Sequence, residues 1–138
     1  MRIALISDDK KKELLTQFCI AYCGVLSKHE LCATSITGKY ISEATGLEIE
    51  KLLSGSHGGV QQILSRISYD EIDMLIYMRD ATLDHSQRSR EVTENLLRLC
   101  DLHNVPAATN IATAEILICG LERGDLDWRK GIKGSSVI

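Results

Sequence analysis

Residues 72–78 read IDMLIYM. Apart from Asp73, every side chain in the run is apolar, and successive side chains of an extended segment point to opposite faces. Neither face of this segment can therefore be left to water, and the run reads as the central strand of a sheet covered on both sides. Strands buried in this way belong mostly to parallel sheets, whose neighbours are joined by crossover connections that usually contain a helix. The flanking sequence should then alternate between strands and helices.

Towards the amino terminus it does. RIALIS (2–7) is a short apolar run, read as a buried strand. DDKKKELLTQFCIAYC (8–23) follows, with Leu14, Leu15, Phe18, Cys19 and Tyr22 at helical spacing. Asp8 or Asp9 suits its N-cap, and Gly24 interrupts it near its end. HELCATS (29–35) reads as a second strand. Thr37-Gly38 opens a short helix, YISEAT, which Gly46 stops. LEIEKLL (47–53) alternates as a third strand, and a glycine-rich stretch leads into the helix VQQILSRIS (60–68). Towards the carboxyl terminus, RDATLDHSQRSRE (79–91) is a polar loop and VTENLLRLCDLH (92–103) an amphipathic helix ended by Asn104. VPAAT (105–109) is the last strand, IATAEILICGLERG (111–124) the last helix, and GIKGSSVI (131–138) a loosely ordered tail. This alternation predicts an α/β fold: one domain over residues 1–130 with a mostly parallel sheet and helices on both faces, followed by the tail at 131–138.

Composition agrees with a folded domain. The chain has 138 residues, 44% of them hydrophobic, and a single proline, enough for one sizeable core. A net charge of −3 argues against general nucleic-acid binding, which usually leaves a basic footprint. No apolar run approaches the length of about 20 residues that spans a bilayer, and RIALIS is too short for a signal peptide. The expected place is the cytoplasm, with no membrane and no nucleic acid among the partners. Cys19 and Cys23 would share a helix face, but no other Cys or His spacing completes a metal site. The cysteines read as small core side chains, and neither a metal nor a cofactor is expected.

In parallel α/β folds ligands bind beyond the carboxyl ends of the strands. The residues there are Ser7–Lys12, Thr34–Gly38, Ser54–Gly59 and Arg79–His85. Lys12 lies in the first turn after the first strand. Thr34, Ser35 and Thr37 bring hydroxyls, and Gly38 permits close backbone approach. Ser54 and Gly55 follow the third strand, and Gly58-Gly59 precede a helix whose free N–H groups favour an anion. Each feature has an ordinary reading as a solvated face, a cap or a turn. Four such loops on one sheet edge point instead to a phosphorylated small molecule.

With these stretches in view, residues 1–130 resemble methylglyoxal synthase. The matching segments are IALI with DKKK, ATSITG, ATGLEIE, SGSHGGVQQ, IDMLIYMRD, LLRLCDLHNVPAATNIATAE and LERGDLDWRK. The resemblance implies a three-layer α/β/α domain that assembles as a homohexamer. It also implies a phosphate pocket at Lys12, Thr34, Thr37, Ser54 and Gly55. That family converts dihydroxyacetone phosphate to methylglyoxal and phosphate. The reaction needs a carboxylate to remove a carbon-bound proton, a donor to steady the enediolate oxygen, and a grip on the departing phosphate.

The family places its base in a Gly-Gly-Asp-Gln stretch; here that stretch is Gly58-Gly59-Val60-Gln61. Valine accepts no proton. The family's His-Asp pair after the first strand is Asp8-Asp9, so Asp9 is kept and the His is gone. Its Thr-Gly-Thr-Thr-Gly is Thr34-Ser35-Ile36-Thr37-Gly38. Its Asp-Pro after the central strand is Asp80-Ala81, and the following loop is longer, with His85 in place of the enediolate-steadying His. Phosphate-gripping positions persist while acid–base positions are lost, and Val60 and Ile36 would give the pocket an apolar wall suited to a nucleobase face. The sequence therefore predicts a binding protein that holds a phosphorylated metabolite, with a nucleotide as one candidate, for sensing or sequestration. The alternative is an active synthase with a relocated base, drawn from His57, Asp80, Asp84 or His85, with Asp80 the first choice.

Overall fold

The computed structural model describes residues 1–83 and 86–132. Its strands are Arg2–Ser7 (β1), Glu30–Ala33 (β2), Ile49–Lys51 (β3), Met74–Met78 (β4) and Ala107–Ala108 (β5). Its helices are Lys12–Ala21 (α1), Cys23–Leu26 (α2), Ser35–Thr45 (α3), Gly59–Ser68 (α4), Gln87–Leu102 (α5), Ile111–Arg123 (α6) and Arg129–Ile132 (α7). The sheet order is β3-β2-β1-β4-β5, and every pairing is parallel. The strand order reverses at β1, which pairs with β2 on one side and β4 on the other.

β4 is buried on both faces, as the IDMLIYM reading requires, but the middle strand of the five is β1, with β4 beside it. Met74, Ile76 and Met78 face one apolar cluster with Ile3, Leu5, Leu15, Phe18, Ile41 and Ile118. Leu75 and Tyr77 face a second cluster with Ala4, Ile6, Ile63, Ile67, Leu96 and Cys100. Helices α1, α3 and α6 thus cover one face of the sheet and α4 and α5 the other, giving three layers. Burying a side chain of this size contributes about 1.5–3 kcal/mol relative to leaving it exposed, so β1 and β4 are where both layers are anchored.

The element boundaries differ from the sequence reading in instructive ways. The ladders are shorter than the apolar runs: Leu47 and Leu52 are buried beside β3 without belonging to it. α3 begins at Ser35, two residues before Thr37, with Thr34 at its N-cap. The first helix stops at Ala21 and breaks at Tyr22, so Gly24 lies inside α2. α5 begins at Gln87, inside the stretch read as a polar loop. Its cap explains this: the Ser86 side chain accepts from the Ser89 amide at 3.2 Å, and such caps hold a first turn that has no apolar face. Gly46 closes α3 in the left-handed conformation, φ +76°, as expected of a C-terminal glycine.

Cys19, Cys32 and Cys100 are buried, and burial pushes their thiols up to about 12, about 11 and about 12 respectively. Cys23 directs its Sγ to the Thr45 carbonyl at 3.9 Å. Among the described residues no group of three or more His, Cys, Asp or Glu side chains could hold a metal ion, and no helix is long and apolar enough to cross a membrane.

At the amino-terminal edge of the sheet, α7 is tied down by one buried side chain. Arg129 is 5% exposed. Its Nη1 donates to the carbonyls of His103 (3.2 Å) and Asn104, and Nη2 donates to that of Ile72 at 3.5 Å. Its Nε lies 3.5 Å from Asp73 Oδ1, and Asp73 Oδ2 accepts from the Arg2 amide at 2.9 Å. One guanidinium thereby joins α7, the end of α5 and the strand ends before β4 and β1. The sequence boundary drawn at residue 131 falls within α7, and residues 133–138 lie outside the described residues.

Candidate functional site

The carboxyl ends of the strands bring the candidate loops into one row, stitched by short polar contacts. Ser7, the last residue of β1, lies with its Oγ 3.2 Å from Thr37 Oγ1 in the first turn of α3. The Ser35 amide donates to the Leu53 carbonyl at 3.3 Å, joining the β2 and β3 loops. The Asp8 amide donates to the Met78 carbonyl at 3.0 Å, and the Arg79 amide to that of Thr109 at 3.3 Å, which carries the row across β4 to β5. Thr34 and Thr37 are buried, Ser35 is half-buried and Ile36 is 60% exposed.

The glycines of the third loop do mechanical work. A Cβ on Gly59 would run into the Leu53 carbonyl oxygen and come within 2.9 Å of Thr34 Cγ2. Only glycine allows α4 to start this close to the end of β3. Gly58 takes φ +101°, a left-handed value, while Gly55 faces open space. Ser54 closes the loop through its carbonyl, which accepts from the amides of His57 (3.0 Å) and Gly59 (2.9 Å). Its Oγ lies 2.6 Å from His57 Nδ1, and Ser56 Oγ lies 3.1 Å from the same nitrogen.

Val60, the first residue past the glycine pair, is half-buried on α4 and packs against the cluster that contains Ile63, Leu96 and Tyr77. Lys12 stands at the start of α1 with its Nζ 5.9 Å above the ring of Tyr40. Asp9 is exposed in the short turn before it.

Asp8 bridges the two central loops. Its Oδ1 accepts from the Tyr77 hydroxyl at 3.1 Å and its Oδ2 from the Asp80 amide at 2.7 Å. The sequence offers Asp8 as a helix cap, yet its side chain makes no cap hydrogen bond. Asp80 is buried, and its Oδ1 accepts from the Thr82 hydroxyl (2.6 Å) and amide (3.0 Å). Those two bonds, first the hydroxyl's and then the amide's, hold its carboxyl below the usual range, with Lys10 and Lys11 adding to the effect. Burial pushes the Tyr77 hydroxyl up. Asp84 and His85 lie outside the described residues.

The structure thus places Asp9, Lys12, Thr34–Thr37, Ser54, Gly55, Gly58–Val60 and Asp80 in the loops and first helical turns at one sheet edge. The residues that sequence reasoning did not single out are Tyr40 beneath Lys12 and Tyr77 on Asp8. Both are aromatic residues whose partners lie far away in the chain, so local pattern gives no signal for them.

A groove of about 850 Å³ lies at the opposite edge, lined in part by Arg2, Glu30, Glu50 and Arg66. Its arginines are already engaged: Arg2 Nε donates to Glu30 at 2.7 Å, and Arg66 pairs bidentately with Glu50. That edge carries the amino ends of the strands, where parallel sheets do not hold their ligands, so the carboxyl edge is the candidate site.

Comparison with known proteins agrees with the geometry. Residues 18–109 match the family model described as MGS-like domain. A methylglyoxal synthase from Caldicellulosiruptor saccharolyticus is 58% identical over 130 residues, covering 94% of this chain and 91% of the relative. One from Oceanobacillus iheyensis is 53% identical over 133 residues, covering 96% and 94%. The crystal structure of methylglyoxal synthase from Elizabethkingia anophelis superposes with a TM-score of 0.75 at 36% identity, covering 85% of this chain and 76% of that one. Sheet order, loop placement and these likenesses lead to one conclusion: the chain belongs to the MGS-like domain family.

Proposed function

We propose that this member of the family binds a phosphorylated small molecule, with a nucleotide as the first candidate, and has lost synthase turnover. The observation that carries the reading is the contrast at the carboxyl edge. The hydroxyls of Thr34, Thr37 and Ser54 and the ammonium of Lys12 stand in its loops and first helical turns, while the residue after Gly58-Gly59 is Val60, packed against the core. The resemblance puts a proton-abstracting carboxylate at that residue. A general base contributes about 10²–10⁴ in rate, and an isopropyl group contributes none.

The relocated-base alternative is disfavoured at its first choice. Asp80 is held below the usual carboxylate range by Thr82, whereas a base that must take a proton from carbon works best with a pKa near the operating pH. Exposed Ile36 supplies an apolar surface beside the hydroxyls, which suits a ligand with a flat apolar part better than a triose. The homohexamer and the cytoplasmic location belong to the same proposal and rest on the family resemblance; sedimentation of the purified protein measures the first.

The test is phosphate release from dihydroxyacetone phosphate by purified protein, followed by thermal shifts with mononucleotides, cyclic nucleotides and sugar phosphates. The expected result is no turnover above background together with a shift from at least one ligand. A ligand at 100 times its dissociation constant adds roughly 2.7 kcal/mol. Turnover at an ordinary enzymic rate overturns the proposal. Val60→Asp asks whether the remaining machinery survives, since a gain of synthase activity would show that only the base is missing.

A further inference from the structure

Ser54 and Ser56 converge on a single nitrogen, His57 Nδ1, at 2.6 and 3.1 Å, and their oxygens lie 3.4 Å apart. A ring nitrogen carries either one lone pair or one proton. With the lone pair on Nδ1, the two hydroxyls compete to donate to it, and the nearer one, Ser54, turns its proton inward. With a proton on Nδ1, the ring donates and both hydroxyl oxygens accept. Both O–H bonds are then free to turn outward. The imidazolium always has a proton on Nδ1, so charging His57 exposes two hydroxyl donors and adds a positive charge at the same place. Ser56 and His57 are exposed and Ser54 is half-buried, so a ligand can reach the cluster, and it lies on the loop that also carries Gly55 and Gly58.

We propose that Ser54, Ser56 and His57 form a proton-gated subsite for a dianionic oxyanion such as a phosphate monoester, with His57 setting how many hydroxyl protons face the ligand. This rests on the phosphate-site reading above and adds His57 and Ser56 to it. The charged and titratable groups on the neighbouring elements are Lys39, Tyr40 and Glu43 of α3, Glu50 and Lys51 of β3 and Arg66 of α4, with Asp9 and Lys12 across the strand ends. Among the described residues, no hydrogen bond or ion pair joins any of them to His57. The gate is therefore the local exchange between one imidazole and two hydroxyls. Histidine changes charge between about pH 5 and 8, and the ligand is held more tightly at the acid end.

Sulfate is the probe, because it stays dianionic over this range and isolates the protein's own titration. Calorimetry of the purified protein with sulfate from pH 5.5 to pH 8 should show affinity falling about tenfold or more, as loss of a charge-assisted contact implies. His57→Gln should flatten the profile at the weaker level. By linkage, saturating sulfate must raise the His57 titration midpoint by the same factor, read from its ring protons by NMR with His29 and His103 as internal controls. A profile that keeps its slope in His57→Gln, or a His57 midpoint unmoved by sulfate, overturns the proposal while leaving the phosphate site standing. Absence of sulfate binding at every pH, in the presence of normally folded protein, overturns both.

Discussion

The two edges of the sheet are built from different chemistry. At the amino-terminal edge the polar groups are charged and paired: Arg129 with Asp73 and three carbonyls, His103 Nδ1 with Asp70 at 2.8 Å, Arg66 with Glu50, Arg2 with Glu30. At the carboxyl edge the carboxylates of Asp8 and Asp80 are held by Tyr77, Thr82 and backbone amides, and beside them stand the hydroxyls of Thr34, Thr37 and Ser54 and the ammonium of Lys12. The first arrangement holds the fold; the second leaves donors to offer. The difference teaches where to look for function in such a sheet: where hydroxyl and ammonium donors gather, rather than where arginines pair with carboxylates.

That contrast can be broken most sharply at Arg129. Arg129→Met leaves Asp73 buried without its guanidinium, and removing one partner of a buried pair typically destabilises by about 3–5 kcal/mol. Urea denaturation should show that loss, with sulfate binding by the folded fraction unchanged. Loss of binding at unchanged stability would mean that the two edges are not separable.

Next in size is Gly59→Ala. Its new methyl meets the Leu53 carbonyl, and forcing atoms into a close-packed position costs about 1–3 kcal/mol. This change belongs to the carboxyl edge yet should register as stability, sharpening which of its residues are mechanical. A stability within ~0.5 kcal/mol of the parent would show that the loop can give way.

Lys12→Ala should do the opposite. It should weaken sulfate or nucleotide binding about tenfold, the scale of one hydrogen bond to a charged group, and leave the urea midpoint unmoved. Unchanged affinity would misplace the anion site.

The smallest effect lies at Glu50. The hydrogen bond from Arg66 holds this carboxyl below its usual range, and the guanidinium charge adds to that against a counteracting burial. A carboxylate depressed in the folded state adds stability above its unfolded pKa, and that contribution is lost as pH falls through the folded value. The stability difference between the parent and Glu50→Gln should therefore shrink between pH 5 and pH 3. Both partners are substantially exposed, so the whole effect stays under about 1 kcal/mol. A difference that grows on acidification would reverse the sign assigned here.

Much of the fold was legible because its signals are local. IDMLIYM announces a strand buried on both faces, Gly46 ends α3, and the alternation of apolar runs with helical spacing dictates a parallel sheet. The start of α5 was not legible, since its first turn, Gln87–Arg90, is polar throughout and only the Ser86 cap defines it. Nor was the office of Asp8. Its position before a helix suggests a cap, but its oxygens serve Tyr77 and Asp80, residues brought near only by the β1–β4 pairing. At the candidate site the residue types and loops could be read off, because strand ends follow from strand assignments. What each group touches could not: that Lys12 lies over Tyr40, or that Val60 joins the core, depends on contacts between elements.

The Asp8 bridge has a mechanical corollary. Because the Asp8 carboxylate, at the tip of the first connection, accepts from both the Tyr77 hydroxyl and the Asp80 amide while the Asp8 amide donates to the Met78 carbonyl, those segments cannot part without rupturing all of these bonds at once. Whatever tugs on the turn ahead of α1 drags its neighbour along, so the middle of this rim behaves as a single jaw rather than as two independent fingers.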